Sequence, residues 1–286
     1  MEQTQQSMKP KQYIQGETKQ QRKARKRQEK AQKSVAVSPI PLQESVVNSH
    51  VPRYVCCLKY GDKYSADYVN KLYNMVKRNL TIDYEFVCFT EDAVGIDSNI
   101  RIEPLELING VQGWWYKPLF FNPKISLKGT LLFLDLDIVI FDNIDKLFTY
   151  KLGEFCIIRD FNRHVVPNYN KFNSSIFRLE THIHQHSNVY NLFVDNPRVP
   201  IMKYHGDQDW LRVCITKDFH FWPENWIQSY KWEMRGKPKF NNNTRGKRDF
   251  AQQGEPVVQD GLSVAVFHGD PNPHNCKDPW VIDNWR

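Results

Sequence analysis

Two aspartates, Asp135 and Asp137, interrupt the apolar stretch GTLLFLDLDIVIFD at residues 129–142. Read as one strand, positions i and i+2 put both carboxylates on the same face, where the strand leaves the core. Such a pair repels itself and is costly to desolvate, and a hard divalent cation beside it relieves both. The competing reading is that the aspartates cap loop N–H groups at the strand end. A second cluster, His182, His184 and His186 in THIHQHS, alternates in a way that could bind zinc on a strand, but it precedes the helical stretch SNVYNLFVDN and is expected to be a loop.

The elements that must position these groups follow from periodicity. RYVCCLKY reads as a strand, and SADYVNKLYNMVKRNL as a helix capped by Ser65 with Tyr68, Leu72, Met75, Val76 and Leu80 on one face. YEFVCFTED, NIRIEPLEL, EFCIIRDF, SSIFRLE and LSVAVFHGD are further strands, and GWWYKPLFF opens a helical or irregular segment. Strands alternating with helices predict a mostly parallel sheet covered on both faces, with the ligand crevice at the strands' carboxyl ends.

Composition limits the alternatives. The 286 residues, 41% hydrophobic, suffice for one large domain and a tail. The net charge of +7 is uneven: residues 1–50 hold ten Lys/Arg and four Glu, a balance of +6 that leaves +1 for residues 51–286. The tail is therefore expected to be a disordered basic segment, suited at most to a polyanion or an anionic membrane surface, with the folded domain spanning 51–286. No stretch approaches the roughly 18 apolar residues of a membrane span, and no signal-peptide pattern opens the chain, so a cytoplasmic location is expected. The six cysteines form no C-x-x-C pair and read as reduced core thiols.

Several motifs lie beyond the aspartate pair. KFNSSIFRLE occupies 171–180, GDQDW 206–210 and VFHGDPNPHNCKDPW 266–280. In that order they resemble the D-x-D, N-S, D-Q-D and H-x-x-G-x-x-K-P-W segments of GT-A fold nucleotide-sugar glycosyltransferases of the glycogenin and lipopolysaccharide galactosyltransferase type. The resemblance covers about residues 53–286. It implies a GT-A fold, a Rossmann-like, mostly parallel sheet with helices on both faces, and metal-dependent transfer of a sugar from a nucleoside diphosphate donor, with retention.

The resemblance also implies roles. Asp135 would touch the metal and donor ribose, Asp137 would bind the metal, and His268 would complete the protein's ligands to Mn²⁺ or Mg²⁺, the imidazole favouring Mn²⁺. Lys277 would reach the phosphates and Lys117 the donor sugar. Tyr60, Asp62 and Tyr64 would surround the base and ribose, with Asp92 near the base. Asn173, Asp207, Gln208 and Asp209 would line the sugar and acceptor side, where an inverting enzyme would need Asp207 or Asp209 as a base and Gln208, an amide, cannot serve. The chain departs from the pattern at Ser175, where the family has a small residue, and in the longer spacing between His268 and Lys277.

Other readings stay open. Lys117 beside Trp114 and Trp115 can be a snorkelling surface lysine, Asp62 and Asp92 plain turn residues, and His268 a core histidine. The D-x-D segment also occurs in haloacid dehalogenase-type phosphatases, where the first aspartate is a nucleophile. A silent sugar-nucleotide or glycan-binding module would use tryptophans 114, 115, 210, 222, 226 and 232 as stacking platforms. The donor sugar, the base and the acceptor, whether glycan, lipid, protein or nucleic acid, are not legible from the residues.

Overall fold

The computed structural model describes residues 51–164, 166, 168–236, 239–240, 248–249 and 254–286; the basic tail expected at 1–50 lies outside the described residues. The chain runs β1 (Arg53–Lys59), α1 (Ala66–Asn79), β2 (Glu85–Thr90), β3 (Arg101–Pro104), a 3₁₀ helix (Gly113–Phe121), β4 (Thr130–Leu134) and β5 (Ile138–Ile140). It continues through α2 (Asp145–Thr149), β6 (Phe155–Arg159), β7 (Phe172–Glu180), α3 (Asn188–Asp195), α4 (Arg198–Lys203) and α5 (Asp207–Cys214). Then follow β8 (Phe219–Phe221), β9 (Ile227–Ser229), β10 (Lys239–Phe240), β11 (Arg248–Asp249), β12 (Val264–Val266) and α6 (Pro279–Asn284).

Seven strands form one sheet in the order β3-β2-β1-β4-β7-β6-β8, parallel except at β7, which runs antiparallel to β4 and β6. The period-2 alternation of β1 divides its side chains between two cores: Val55 and Cys57 pack with α1, and Cys56 with the 3₁₀ helix and α3. α1 buries Tyr68, Val69, Leu72, Met75 and Val76 at helical spacing, each side chain worth about 1.5–3 kcal/mol when fully buried. All six cysteines are free thiols, and all but Cys214 are buried. Among the described residues no helix is long and apolar enough to cross a membrane.

The stretch 129–142 departs from the single strand expected. β4 ends at Leu134 in the large sheet, and β5 begins at Ile138 in a second sheet of order β5-β12-β9. Residues 135–137 turn between them: Asp135 N–H donates to Ser175 O at 2.8 Å on the β7 side, and Asp137 O accepts from Phe267 N–H at 3.0 Å beyond β12. An unbroken apolar pattern cannot distinguish one buried strand from two short ones in different sheets.

Candidate active site

Register brings the site together. β1 and β4 are parallel neighbours, Cys56 opposite Phe133, so their carboxyl ends open side by side and the segments after Lys59 and Leu134 share one crevice. In the antiparallel β4–β7 pair Leu134 faces Ile176, which carries Asn173, Ser174 and Ser175 to the same end. In the second sheet Val266 faces Ile138, so the chain after β12 runs back alongside 135–137 and delivers His268.

The crevice is a cavity of about 810 Å³. Tyr60, Asp62, Tyr64, Lys117, Asp135, Asp137, Asn173, Asp207, Gln208, Asp209 and His268 all line it. Asp92 and Lys277 do not. Asp92 O and its carboxylate engage Lys59, and Asp92 Oδ1 accepts from Val94 N–H at 3.0 Å, which is turn chemistry. Lys277 is exposed on the long 269–278 segment. The three histidines at 182, 184 and 186 sit in the turn after β7, where His184 and His186 have positive φ, rather than on a strand face.

Lys117 is buried, contrary to the snorkelling alternative, at 4% exposure. Its Nζ lies 2.8 Å from Asp135 Oδ1 and 2.9 Å from Oδ2, donates to Ser174 O at 3.1 Å, and stands 3.9 Å from Asp207 Oδ2. Burial alone would lower its pKa, but the charges of Asp135 and Asp207 outweigh burial and hold it above the ordinary value. Asp207 opens α5; burial raises its carboxyl pKa despite Lys117, and its Oδ2 is buried without a hydrogen-bond partner.

Asp137 accepts from the Tyr64 hydroxyl at Oδ2, 2.7 Å away. Its pKa is pushed up to about 6, by burial first and then by the charge of Asp135, with the Tyr64 hydrogen bond and Lys117 acting the other way. The two aspartates do not share a strand face, but the turn leaves both on the cavity wall, with Leu136 between them buried. His268 Nε2 is hydrogen-bonded to Ser229 Oγ at 2.6 Å, and its ring stacks on Phe161.

Some contributors are not evident in the sequence motifs. Asp160, 5% exposed at the end of β6, accepts from Gln208 Nε2 at 3.3 Å. Ser174 and Gly206, which do lie in the N-S and D-Q-D segments, also line the cavity. The only sequence signal for Asp160 is its place at a strand's carboxyl end. Of the proposed stacking tryptophans, Trp115, Trp210 and Trp222 are buried in the core and Trp226 and Trp232 are partly buried, whereas Trp114 is exposed on the cavity wall.

No protein-family model matches the chain, and no curated protein matches it in sequence. Solved structures do. A galactosyltransferase, LgtC, in complex with donor and acceptor sugar analogues, is 13% identical over 80% of this chain and 93% of its own, with a TM-score of 0.52. The glycosyltransferase GlyE of Streptococcus pneumoniae TIGR4 is 12% identical over 82% of this chain and 62% of its own, with a TM-score of 0.55. The bifunctional glycosyltransferase WbbM is 13% identical over 82% of this chain and 51% of its own, with a TM-score of 0.51. The chain thus spans less than two thirds of the last two. At such identities the likeness is one of architecture: the chain has the α/β GT-A fold, with its carboxylate pair in the crevice where the parallel strands end.

Proposed function

We propose that the chain transfers a sugar from a nucleoside diphosphate sugar to an acceptor, with dependence on a divalent metal and with retention at the anomeric carbon. The observation that carries this reading is that Asp135, Asp137 and His268 line the same GT-A crevice as Asn173, Asp207, Gln208 and Asp209.

The residues fit a divalent ion by their chemistry. Of two adjacent carboxylates, Asp137 has its pKa raised by burial and by Asp135, with Lys117 and Lys63 offsetting this only in part, and hard oxygen donors with one imidazole suit Mn²⁺ or Mg²⁺. Among the described residues no three His, Cys, Asp or Glu are drawn into one ligating group; Asp135 is held by Lys117 and His268 by Ser229. Asp135, Asp137 and His268 are the ligands we assign. Bound there, an ion would offset the negative charge developing on the leaving nucleoside diphosphate.

The remaining groups bind and orient. Tyr64 holds the Asp137 carboxylate and Lys117 that of Asp135. Tyr60, packed against Tyr116 with ring centroids 5.0 Å apart, and Asp62 lie where the base and ribose would sit. The buried Asp207 carboxylate faces Lys117, 3.9 Å from its Nζ, and so helps to hold that lysine in place. Gln208 is an amide and cannot take a proton, Asp207 is buried and Asp209 is paired with Lys171 at 3.4 Å, so we assign the acceptor's proton to the leaving phosphate, as retention in the resembled family implies.

The test is a screen of nucleotide sugars for Mn²⁺-dependent release of nucleoside diphosphate, with NMR of the product's anomeric configuration. An inverted product overturns retention. Hydrolysis of p-nitrophenyl phosphate without donor cleavage overturns the transferase reading for a phosphatase, and calorimetric donor binding without turnover overturns it for a binding module.

A further inference from the structure

Ser229 ends β9 and is fully buried, and its Oγ lies 2.6 Å from His268 Nε2. The hydroxyl is itself held in place. As the cap of the helical turn Tyr230–Met234 it accepts from Trp232 N–H at 3.1 Å, while the Ser229 N–H donates to Glu233 Oε2 at 2.7 Å. The Glu233 side chain is 3% exposed, and its other oxygen accepts from Arg163 Nη2 at 2.5 Å. A pair buried so deeply keeps its geometry, because breaking it strands a charge.

Arg163 belongs to the 3₁₀ turn Phe161–His164, which also supplies Phe161, stacked on the His268 ring with centroids 5.7 Å and planes 12° apart. Trp232, from the capped turn, meets the same ring edge-on at 4.5 Å. The imidazole is thus gripped on a face, on an edge and at Nε2 by two turns that the Arg163–Glu233 pair ties together. A histidine that binds an ion uses the lone pair of one ring nitrogen and carries a proton on the other, and the partner of that N–H decides which is which. We infer that Ser229 is a positioning residue of the metal site: its Oγ takes the Nε2–H of His268 and so leaves ligation to Nδ1, with Glu233 and Arg163 holding the serine in register. This rests on the proposed metal dependence. None of the three residues lines the cavity or lies in the motifs that the sequence offers.

The experiment uses the full chain with ¹⁵N-labelled histidine. Long-range ¹H–¹⁵N spectra of the metal-free protein at about pH 8, where an ordinary imidazole is neutral, report each ring's tautomer, and the His268 signals are those missing from His268→Gln. Electron paramagnetic resonance of free Mn²⁺ then gives the affinity for the ion alone, with thermal melts alongside. The wild type should hold His268 as the Nε2–H tautomer, and Ser229→Ala should show a mixture of the two. The Mn²⁺ Kd should rise about tenfold or more in Ser229→Ala, and by a smaller factor in Glu233→Gln. Ser229→Thr keeps the hydroxyl and should keep both tautomer and affinity; a folded threonine variant as impaired as the alanine one would assign the effect to packing and overturn the inference. Wild-type His268 protonated at Nδ1 overturns it without recourse to any variant, and so does unchanged Mn²⁺ affinity in a folded Ser229→Ala. A wild type with the Nε2–H tautomer that binds no Mn²⁺ would instead overturn the metal dependence, and the ligating role with it, so the tautomer tells the two failures apart.

Discussion

The Gln208 side-chain amide donates from Nε2 to the buried Asp160 carboxylate at 3.3 Å. An ionised carboxylate only accepts, so this partner dictates which end of the amide faces it and turns Gln208 Oε1 the other way. On the proposed reading of Gln208, Asp160 is a positioning residue, since it holds the amide and does not itself line the cavity. Asp160→Asn, which can donate as well as accept, should let the amide reverse. We expect kcat to fall about tenfold, equivalent to about 1.4 kcal/mol, with donor KM little changed. Asp160→Asn should add nothing to Gln208→Ala, and additive losses in that double mutant would show that the two act separately.

Among the described residues, Lys117 is the only cation within 4 Å of both Asp135 and Asp207. Lys117→Met keeps much of the volume and strands two carboxylates, one of them deeply buried, so a stability loss of about 3–5 kcal/mol is expected. Protonating the carboxylates relieves the mismatch. The loss should therefore be smaller at pH 5 than at pH 8, and equal losses in urea titrations at the two pH values would remove the ion pair as its cause.

How much of this was legible depends on the kind of signal. α1 could be read from Tyr68, Leu72, Met75 and Val76, because a helix's buried face leaves a period of 3.6 in the sequence. The carboxylate pair stood out because charges inside an apolar run require an explanation. The passage from β4 to β5 did not, since both strands are apolar and only long-range pairing with β7 and β12 separates them. Lys117 is ambiguous in the sequence because its partners are 18 and 90 residues away. Asp92 stands out only by its place after a strand and Lys277 by its place in the late motif, but local turn geometry at the one and the spacing after His268 at the other leave them outside the cavity.

Asp137 gives stability a pH dependence of defined sign. Its folded pKa, about 6, lies above the ordinary carboxylate value of 3.8, so the folded state binds more protons between them. Stability from this group is full below the unfolded pKa and is lost as pH rises through about 6. Metal-free protein should therefore lose stability between about pH 4 and pH 7, and Asp137→Asn should flatten that part of the profile. An unchanged slope in the variant would assign the dependence to other groups.

The metal assignment is tested by separating stability from chemistry. Asp137→Asn conserves volume and removes a charge, so a purely structural aspartate would lose only the ordinary ~1 kcal/mol of a point mutant. A ligand should show much more in turnover than in stability, because its contribution grows as charge develops on the leaving diphosphate. His268→Ala, which also removes the hydrogen bond to Ser229 and the stack on Phe161, should resemble it in kind with a larger stability cost. If both act through one ion, the double mutant loses less than the sum of the singles, and each single mutant needs more Mn²⁺ for half-maximal donor cleavage. Mn²⁺ titrations of turnover, beside thermal melts of the same proteins, read all three quantities. Wild-type Mn²⁺ dependence in both single mutants would make Asp137 and His268 structural residues of the turn and of the second sheet.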